Sequence, residues 1–420
     1  MSPITDPLVT DPLVTDPFIT DPFALLVFLT VVVGLIFYIS EIPAFQKFFD
    51  AVPALVFCYF VPMLTTTFGI TAQASPLYDA MNKYLLPPIL LLLLISADMR
   101  AILRLGPKPI VAMLAGSLGI MIGAFVSYGI FRSKLDPNAW QNFGALAATW
   151  TGGSANMAAV KVALDIDNDL FAAIQPVDPI IAYSWMGILL WLASKQTQFS
   201  RRFKCNDQVL EDLKSNVALF SGPQAKPITT TAFITIVAIA LLCSYLSIAG
   251  GTQLAGHWKA SGFFDRHPGF KILSGGTLTV MFVTLIGTAL SFTPLRNLEQ
   301  SGASKIGYAL LYILLPSFGA QANLSKVAEV PWYVVSGVIM IGFHVVATLA
   351  ALIIMRAPLF FGATGSQANF GGAGSASIVA AAYQPALAPV GVLLGIFGGV
   401  FGTYAGLLTA QLCRAIAPLP

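Results

Sequence analysis

The sequence predicts an all-α polytopic membrane protein built from two repeated halves, and three observations carry that expectation. Charged residues make up 10% of the 420-residue chain and hydrophobic residues 56%, with a mean hydropathy of +0.79. Soluble domains carry roughly 25% charged residues, so this chain lacks the polar surface that a soluble globule of its size needs. Disorder is excluded too, because a disordered chain needs low hydrophobicity. Second, the charges cluster in short connections between apolar runs of about 15–25 residues, the length that spans a bilayer core. Third, a Gly/Ala/Ser-rich segment recurs late in each half. The expected partner is the lipid bilayer, and for a bacterial source the plasma (inner) membrane.

The N-terminus repeats Thr-Asp-Pro every five residues, from Thr5-Asp6-Pro7 to Thr20-Asp21-Pro22. Proline at that period forbids a continuous helix, so residues 1–23 read as an extended or disordered acidic tail. No basic region precedes the first apolar run, so a cleavable signal peptide is not expected. The first membrane repeat, residues 24–193, predicts helices over 24–40, 52–68 (interrupted by Pro62), 84–97 (containing Pro87 and Pro88), 109–131 and 176–193. The Gly-rich segment 143–164 precedes the last of these. Residues 194–227 form the longest hydrophilic connection, with Lys195, Arg201, Arg202, Lys204, Lys214 and Lys226 against Asp207, Glu211 and Asp212. They read as a cytoplasmic linker. The second repeat, residues 228–420, predicts helices over 229–248, 270–292, 304–318, 332–355 and 386–413, with a second Gly-rich segment over 360–383.

The halves match at two places. Gly152-Gly153-Ser154-Ala155-Asn156-Met157-Ala158-Ala159 resembles Ala368-Asn369-Phe370-Gly371-Gly372-Ala373-Gly374-Ser375-Ala376, and each is followed by Gln-Pro: Gln175-Pro176 and Gln384-Pro385. Paired Gly-interrupted hydrophobic segments at corresponding positions point to a transporter binding site. Glycine lets a helix break and lets backbone approach a ligand. The freed N–H and C=O groups must then find an ion, a substrate or a protein partner. The competing explanation is close helix packing through small residues.

Charge gives a topology. Arg100, Arg104 and Lys108 form one basic loop and Lys195–Lys226 another; cytoplasmic loops are enriched in Lys and Arg. With both inside, an even number of crossings separates them. That holds if the Gly-rich segment is re-entrant. Each half then has five full crossings plus one broken hairpin. Five is odd, so the second half is inverted relative to the first and both termini lie outside. If the Gly-rich segments cross instead, the repeats run parallel.

At these motifs the chain resembles the membrane family called domain of unknown function 819. Gly152-Gly153-Ser154-Ala155-Asn156 carries the resemblance, with Tyr78-Asp79-Ala80, Leu85-Leu86-Pro87 and the run from Ser96 to Pro107. In the second half Ala368-Asn369-Phe370-Gly371-Gly372 and Gly402-Thr403-Tyr404 agree. The match runs from about Phe23 to Ala415, and the Thr-Asp-Pro tail lies outside it. That family is similar to the sodium–glutamate symporters, and more distantly to bile-acid/sodium and 2-hydroxycarboxylate/sodium symporters. The resemblance implies two inverted repeats, a moving core domain, a scaffold domain, an elevator-type cycle and a homodimer joined through the scaffold. It carries no substrate. The wider group also contains proton antiporters.

The residues that could carry chemistry follow. Asp178 opens an apolar helix in Gln175-Pro176-Val177-Asp178-Pro179. An acid in a membrane segment is costly unless paired or bound to a cation, and the flanking prolines leave carbonyls without their usual donors. That oxygen-rich set suits sodium; the alternative is a helix-end carboxylate near the N-terminal dipole. Lys161 could neutralise Asp178 or contact an anionic substrate, or it could snorkel beside Asp165, Asp167 and Asp169. Thr151, Ser154, Asn156, Gln367, Asn369, Ser375 and Ser377 supply side-chain donors and acceptors around Gly152, Gly153, Gly371 and Gly372. With the N–H groups of half-helix N-termini they could hold a carboxylate. Gln175 and Gln384 could close the site. His344 reads as a hydrogen-bonded packing residue.

Sodium-coupled symport of a small organic anion or amino acid is the leading expectation, with sodium or a proton as coupling ion and no other cofactor. Cation/proton exchange through Asp178 and Lys161 is the alternative. An enzyme is not expected: there is no HExxH, no GxSxG and no paired histidines. Cys58, Cys205, Cys243 and Cys413 show no CxxC spacing and read as buried small hydrophobes. No GxxxxGK[ST] motif suggests ATP-driven pumping. No basic stripe suggests nucleic acid.

Overall fold

The computed structural model describes residues 17–51, 54–96, 99–215, 226–267, 270, 273–321 and 330–417. Residues 1–16 of the tail and 216–225 of the linker therefore lie outside the described residues. The remainder of the tail is not free chain. Phe18 and Ile19 donate backbone hydrogen bonds to Gly69 and Ile70, and Ala72 returns one to Ile19. The last Thr-Asp-Pro unit starts the first helix. The Asp21 carboxylate accepts from the Ala24 N–H and Pro22 occupies the first turn, where its missing N–H costs nothing.

The first half gives α1 (Pro22–Glu41), α2 (Pro43–Ala51), α3 (Ala54–Thr67), α4 (Pro76–Tyr84), α5 (Leu86–Ile95), α6 (Met99–Arg104) and α7 (Pro107–Phe131). Then come α8 (Trp140–Gly152), α9 (Ser154–Ala163), α10 (Asn168–Ala172) and α11 (Val177–Ala193). The linker holds α12 (Gln196–Phe203) and α13 (Gln208–Ser215). The second half gives α14 (Thr230–Ala260), α15 (Phe263–Arg266), α16 (Gly275–Ser291), α17 (Ala303–Ala320), α18 (Val330–Met355), α19 (Leu359–Tyr383) and α20 (Ala388–Arg414).

The run over 84–97 forms the single helix α5, with Pro87 and Pro88 in its first turn, and α4 meets it at Leu85. Within the linker, Leu210 and Leu213 of α13 are buried in the same apolar cluster as Met99, Ile102 and Leu105. The expected ten full crossings are met in part. Among the described residues eight helices are long and apolar enough to cross a membrane, or nine if α16 and the 3-10 turn Pro294–Ser301, bent by 93°, form one span. The two of the ten not counted among the eight are α16, with 17 residues, and α3, whose 14 described residues make about 21 Å of helix against a hydrocarbon core of about 30 Å; residues 52–53, directly before α3, lie outside the described residues.

Two packing groups emerge, each drawing on both halves. In one, α1, α3, α4 and α5 pack with α14, α16 and α17; in the other, α7, α8, α9 and α11 pack with α18, α19 and α20. Within the second group α7 and α18 run antiparallel at van der Waals distance: Gly116 faces His344 and Thr348, and Gly123 faces Met340. Small residues allow that approach.

Both Gly-rich segments fold back on themselves. Gln141 Nε2 at the start of α8 donates to the Leu164 carbonyl just past α9, at 3.2 Å. In α19, Ser366 Oγ accepts from Trp185 Nε1 (2.7 Å) and Tyr383 Oη donates to the Leu189 carbonyl (2.9 Å). Trp185 and Leu189 are one helical turn apart, about 6 Å, whereas an unbroken helix would hold Ser366 and Tyr383 about 25 Å apart. Each segment is a two-limbed hairpin.

Candidate functional site

The hairpin tips are set by two backbone conformations. Gly153 (φ 90°, ψ 171°) ends α8, and Gly372 (φ 68°, ψ −161°) interrupts α19. That region is essentially closed to residues with a side chain. A Cβ at either position would meet nothing within 4 Å, so the requirement for glycine is conformational and not steric. Helix α20 runs beneath both tips. Gly395 touches Gly372 and Ala373, while Gly398 and Gly402 touch Gly152.

Between the tips lies a cavity of about 610 Å³. The first hairpin lines it with Thr149, Gly152, Gly153, Ser154, Asn156 and Met157; the second with Gln367, Phe370, Gly371, Gly372 and Ser375. Gln175, Asp178 and Tyr183 come from α11 and the turn before it, and Phe37, Tyr59, Leu90, Leu94, Tyr308 and Tyr312 from the other packing group.

Asp178 is the only charged side chain among the described lining residues. Trp150 Nε1 donates to its Oδ1 at 2.8 Å and Thr149 Oγ1 to its Oδ2 at 3.3 Å. Two donors for two oxygens fix the carboxylate and leave lone pairs for a ligand. Asn156 is also locked: its Nδ2 donates to the Gly152 carbonyl and its Oδ1 accepts from Thr403 Oγ1, both at 2.6 Å. On the second hairpin Gln367 Nε2 donates to Ser375 Oγ at 3.0 Å, and Gln367 Oε1 has no partner among the described residues. Gln175 is 8% exposed, and neither amide atom has a partner among the described residues. An unsatisfied buried polar group costs about 1–3 kcal/mol, so these amides favour whatever polar species enters the cavity.

The structure thus brings together Gly152, Gly153, Ser154, Asn156, Gln175, Asp178, Gln367, Gly371, Gly372 and Ser375 of the expected set. Five expected residues do not line the cavity. Thr151 Oγ1 bonds back to the Ala147 carbonyl, the ordinary alternative for a helical threonine. Asn369 faces α7, accepting from Ser117 Oγ (3.0 Å) and donating to the Met113 carbonyl (3.0 Å). Ser377 is half-buried and its Oγ donates to the Gly374 carbonyl. The Gln384 N–H caps Ala380 at the end of α19. Lys161 Nζ donates to Asn168 Oδ1 (2.8 Å) and the Ile166 carbonyl (3.2 Å) and lies over the Phe171 and Phe318 rings. It neither snorkels nor reaches Asp178. His344 is buried, with Nε2 2.6 Å from Ser366 Oγ.

Thr149, Trp150, Thr403 and the tyrosine wall were not anticipated. Gly402-Thr403-Tyr404 stood out among the motifs, but nothing in it marked Thr403 as the partner of Asn156. The tyrosines lie in otherwise apolar helices, and only tertiary packing gathers them.

The comparisons with known proteins place the chain in a family. Residues 27–416 match the family described as protein of unknown function (DUF819). The chain is similar to the uncharacterized membrane protein YjcL of Bacillus subtilis (strain 168), 23% identical over 367 residues that cover 86% of this chain and 89% of that protein. With its membrane-spanning helices and a family match over nearly its whole length, the chain is a multi-pass integral membrane protein belonging to the DUF819 family.

Proposed function

We propose that this protein is a secondary active transporter that couples uptake of a small organic anion or amino acid to sodium. The observation that carries the reading is the meeting of two glycine-broken hairpins at one cavity that holds a fixed carboxylate and unpaired buried amides. Close packing alone would have no use for such a space. Broken helices at membrane depth are tolerated where they line a cavity or are buried in protein. In this account the hairpin tips hold the substrate, with the first-turn amides of α9 and of the second limb of α19 directed at it. Asp178 and Gln175 supply the oxygens nearest to a coupling sodium; a hard cation prefers such donors.

Inverted repeats support alternating access. The equivalent helices α7 and α18 are antiparallel. The first limb of α19 runs parallel to α7, through Met113–Gly365 and Ser117–Asn369 contacts, and α8 runs parallel to α18, through Asn142–Tyr333 and Trp150–Gly337. The group holding the hairpins is the candidate moving core. The group built on α1, α3, α5, α14, α16 and α17 is the candidate scaffold, and the surface for a homodimer. Lys161 is committed to Asn168 and Ile166, so no observation favours exchange through a Lys161–Asp178 pair.

A thermal-shift screen of purified protein against sodium and a panel of carboxylates and amino acids tests the reading. A ligand that binds only the folded state at about a hundred times its Kd stabilises it by about 2.7 kcal/mol. Stabilisation by a solute that requires sodium is expected. A protein that responds to no solute with or without sodium is not this transporter.

A further inference from the structure

The charge and lining of the cavity select among the solute classes left open above, and the inference rests on the cavity being the substrate site. No lysine, arginine or histidine is among its described lining residues. Positive potential comes from two helix N-termini. The ten-residue α9 begins at Ser154 and the second limb of α19 begins after Gly372, both at the cavity wall. First-turn amides lack intrahelical acceptors, and each terminus is equivalent to about +0.5 elementary charge. Together they offset one carboxylate. A second carboxylate would sit unpaired in a space already holding Asp178, and unpaired buried charge is strongly disfavoured.

The termini do not stand alone. Gln175, 8% exposed, and Gln367, 1% exposed, line the same space, and both amide atoms of the first and Oε1 of the second are unpaired among the described residues. An amide can donate to a carboxylate or accept from an ammonium. The remaining wall is largely apolar, aliphatic at residues such as Leu90, Leu94 and Ile396 and aromatic at Phe37, Tyr59, Tyr183, Tyr308, Tyr312 and Phe370. Aromatic faces accommodate apolar groups and attract a cation.

We propose that the cavity takes a zwitterion with one carboxylate, one ammonium and a bulky apolar side chain, namely a neutral α-amino acid, and rejects dicarboxylates. The carboxylate meets the hairpin tips, the ammonium faces Asp178, and the side chain lies on the aromatic wall. A sodium ion at Asp178 leaves the rejection of dicarboxylates in force, because it neutralises Asp178 and still provides no partner for a second carboxylate; the preference for an ammonium rests on the Asp178 charge itself.

The test measures binding of L-phenylalanine, L-leucine, 3-phenylpropionate, L-glutamate and succinate to the full-length protein in sodium. The two neutral amino acids should bind about tenfold or more tightly than the other three, the scale of one charged hydrogen bond. In Asp178→Asn the preference for phenylalanine over 3-phenylpropionate should collapse. If both ligands weaken in parallel and the preference stays, Asp178 does not face the ammonium. Succinate or glutamate binding as tightly as phenylalanine overturns the proposal, as does the absence of amino-acid binding. Uptake into proteoliposomes separates the two readings. Succinate bound and accumulated under a sodium gradient sinks the substrate class and leaves the transporter. Phenylalanine bound but never accumulated leaves the class and sinks the transporter.

Discussion

The two hairpins share a tip geometry but differ at their bases. The second is tied within its own packing group: Asn369 to Ser117 and Met113, Ser366 to Trp185, Tyr383 to Leu189. The first is also tied to the other group. Asn168, on α10 just past the hairpin, donates to Gln321 Oε1 at 3.3 Å, and Gln73 bridges Asp169 (3.2 Å) and the Gln321 carbonyl (3.2 Å). Ser274, which caps α16, and Thr277 in its first turn donate to the Ala163 carbonyl at 3.3 and 2.7 Å. If the hairpin group slides past the other, the first hairpin must release these bonds and the second need release none of those named. The asymmetry marks where motion is resisted in this conformation.

The largest effect should come from making that resistance permanent. With cysteines at Asn168 and Gln321 in an otherwise cysteine-free protein, a short bifunctional thiol reagent should stop transport, and reversal of the link should restore it. The same treatment of cysteines at Ser117 and Asn369, within one group, should leave transport nearly intact. Equal inhibition by both links would remove the case for relative motion.

Asp178→Asn comes next. The shape and the partners Trp150 and Thr149 remain, but the charge goes. The sodium-dependent thermal shift should shrink or vanish, because a hard cation prefers anionic oxygen. An unchanged sodium response would move the ion to the carbonyls of the breaks.

Smaller effects should separate the tips. Thr403→Val leaves Asn156 Oδ1 unpaired in a closely packed setting and should cost about 1–3 kcal/mol. Ser375→Ala frees Gln367 Nε2 beside an open cavity and should cost about 1 kcal/mol or less. Chemical denaturation in detergent would rank them; the reverse order would show that the second tip is the more tightly held. Gln73→Ala, which removes hydrogen bonds at an exposed position, should change stability by about 0.5–1.5 kcal/mol while speeding release of the first hairpin, read as faster uptake.

Much of this was legible in the sequence for a local reason. A glycine pair in an apolar run marks where a helix can break, and the breaks fall at Gly153 and Gly372 within the two segments so marked. Asp178 and Gln175 stood out because polar groups are rare in such surroundings. Which way a side chain turns was not legible. Asn369 lies three residues before its break, as Gly153 lies three before Asn156, yet it faces α7 while Asn156 faces the cavity. Lys161 carried a charge that suggested a partner in Asp178, but the partner depends on the loop to α10, which folds Asn168 back onto it. The tyrosine wall is assembled from α3, α11 and α17, and no single stretch of chain announces it.

The central claim is that both tips together form the substrate site. Sodium-driven uptake into proteoliposomes, compared among wild type, Gly153→Leu and Gly372→Leu at equal membrane insertion, tests it most directly. Each leucine meets a backbone conformation that costs about 1–3 kcal/mol and projects into the cavity. Uptake by the wild type and background levels in both variants is the predicted result. Normal sodium-driven uptake by both variants would contradict the account and make the breaks packing devices.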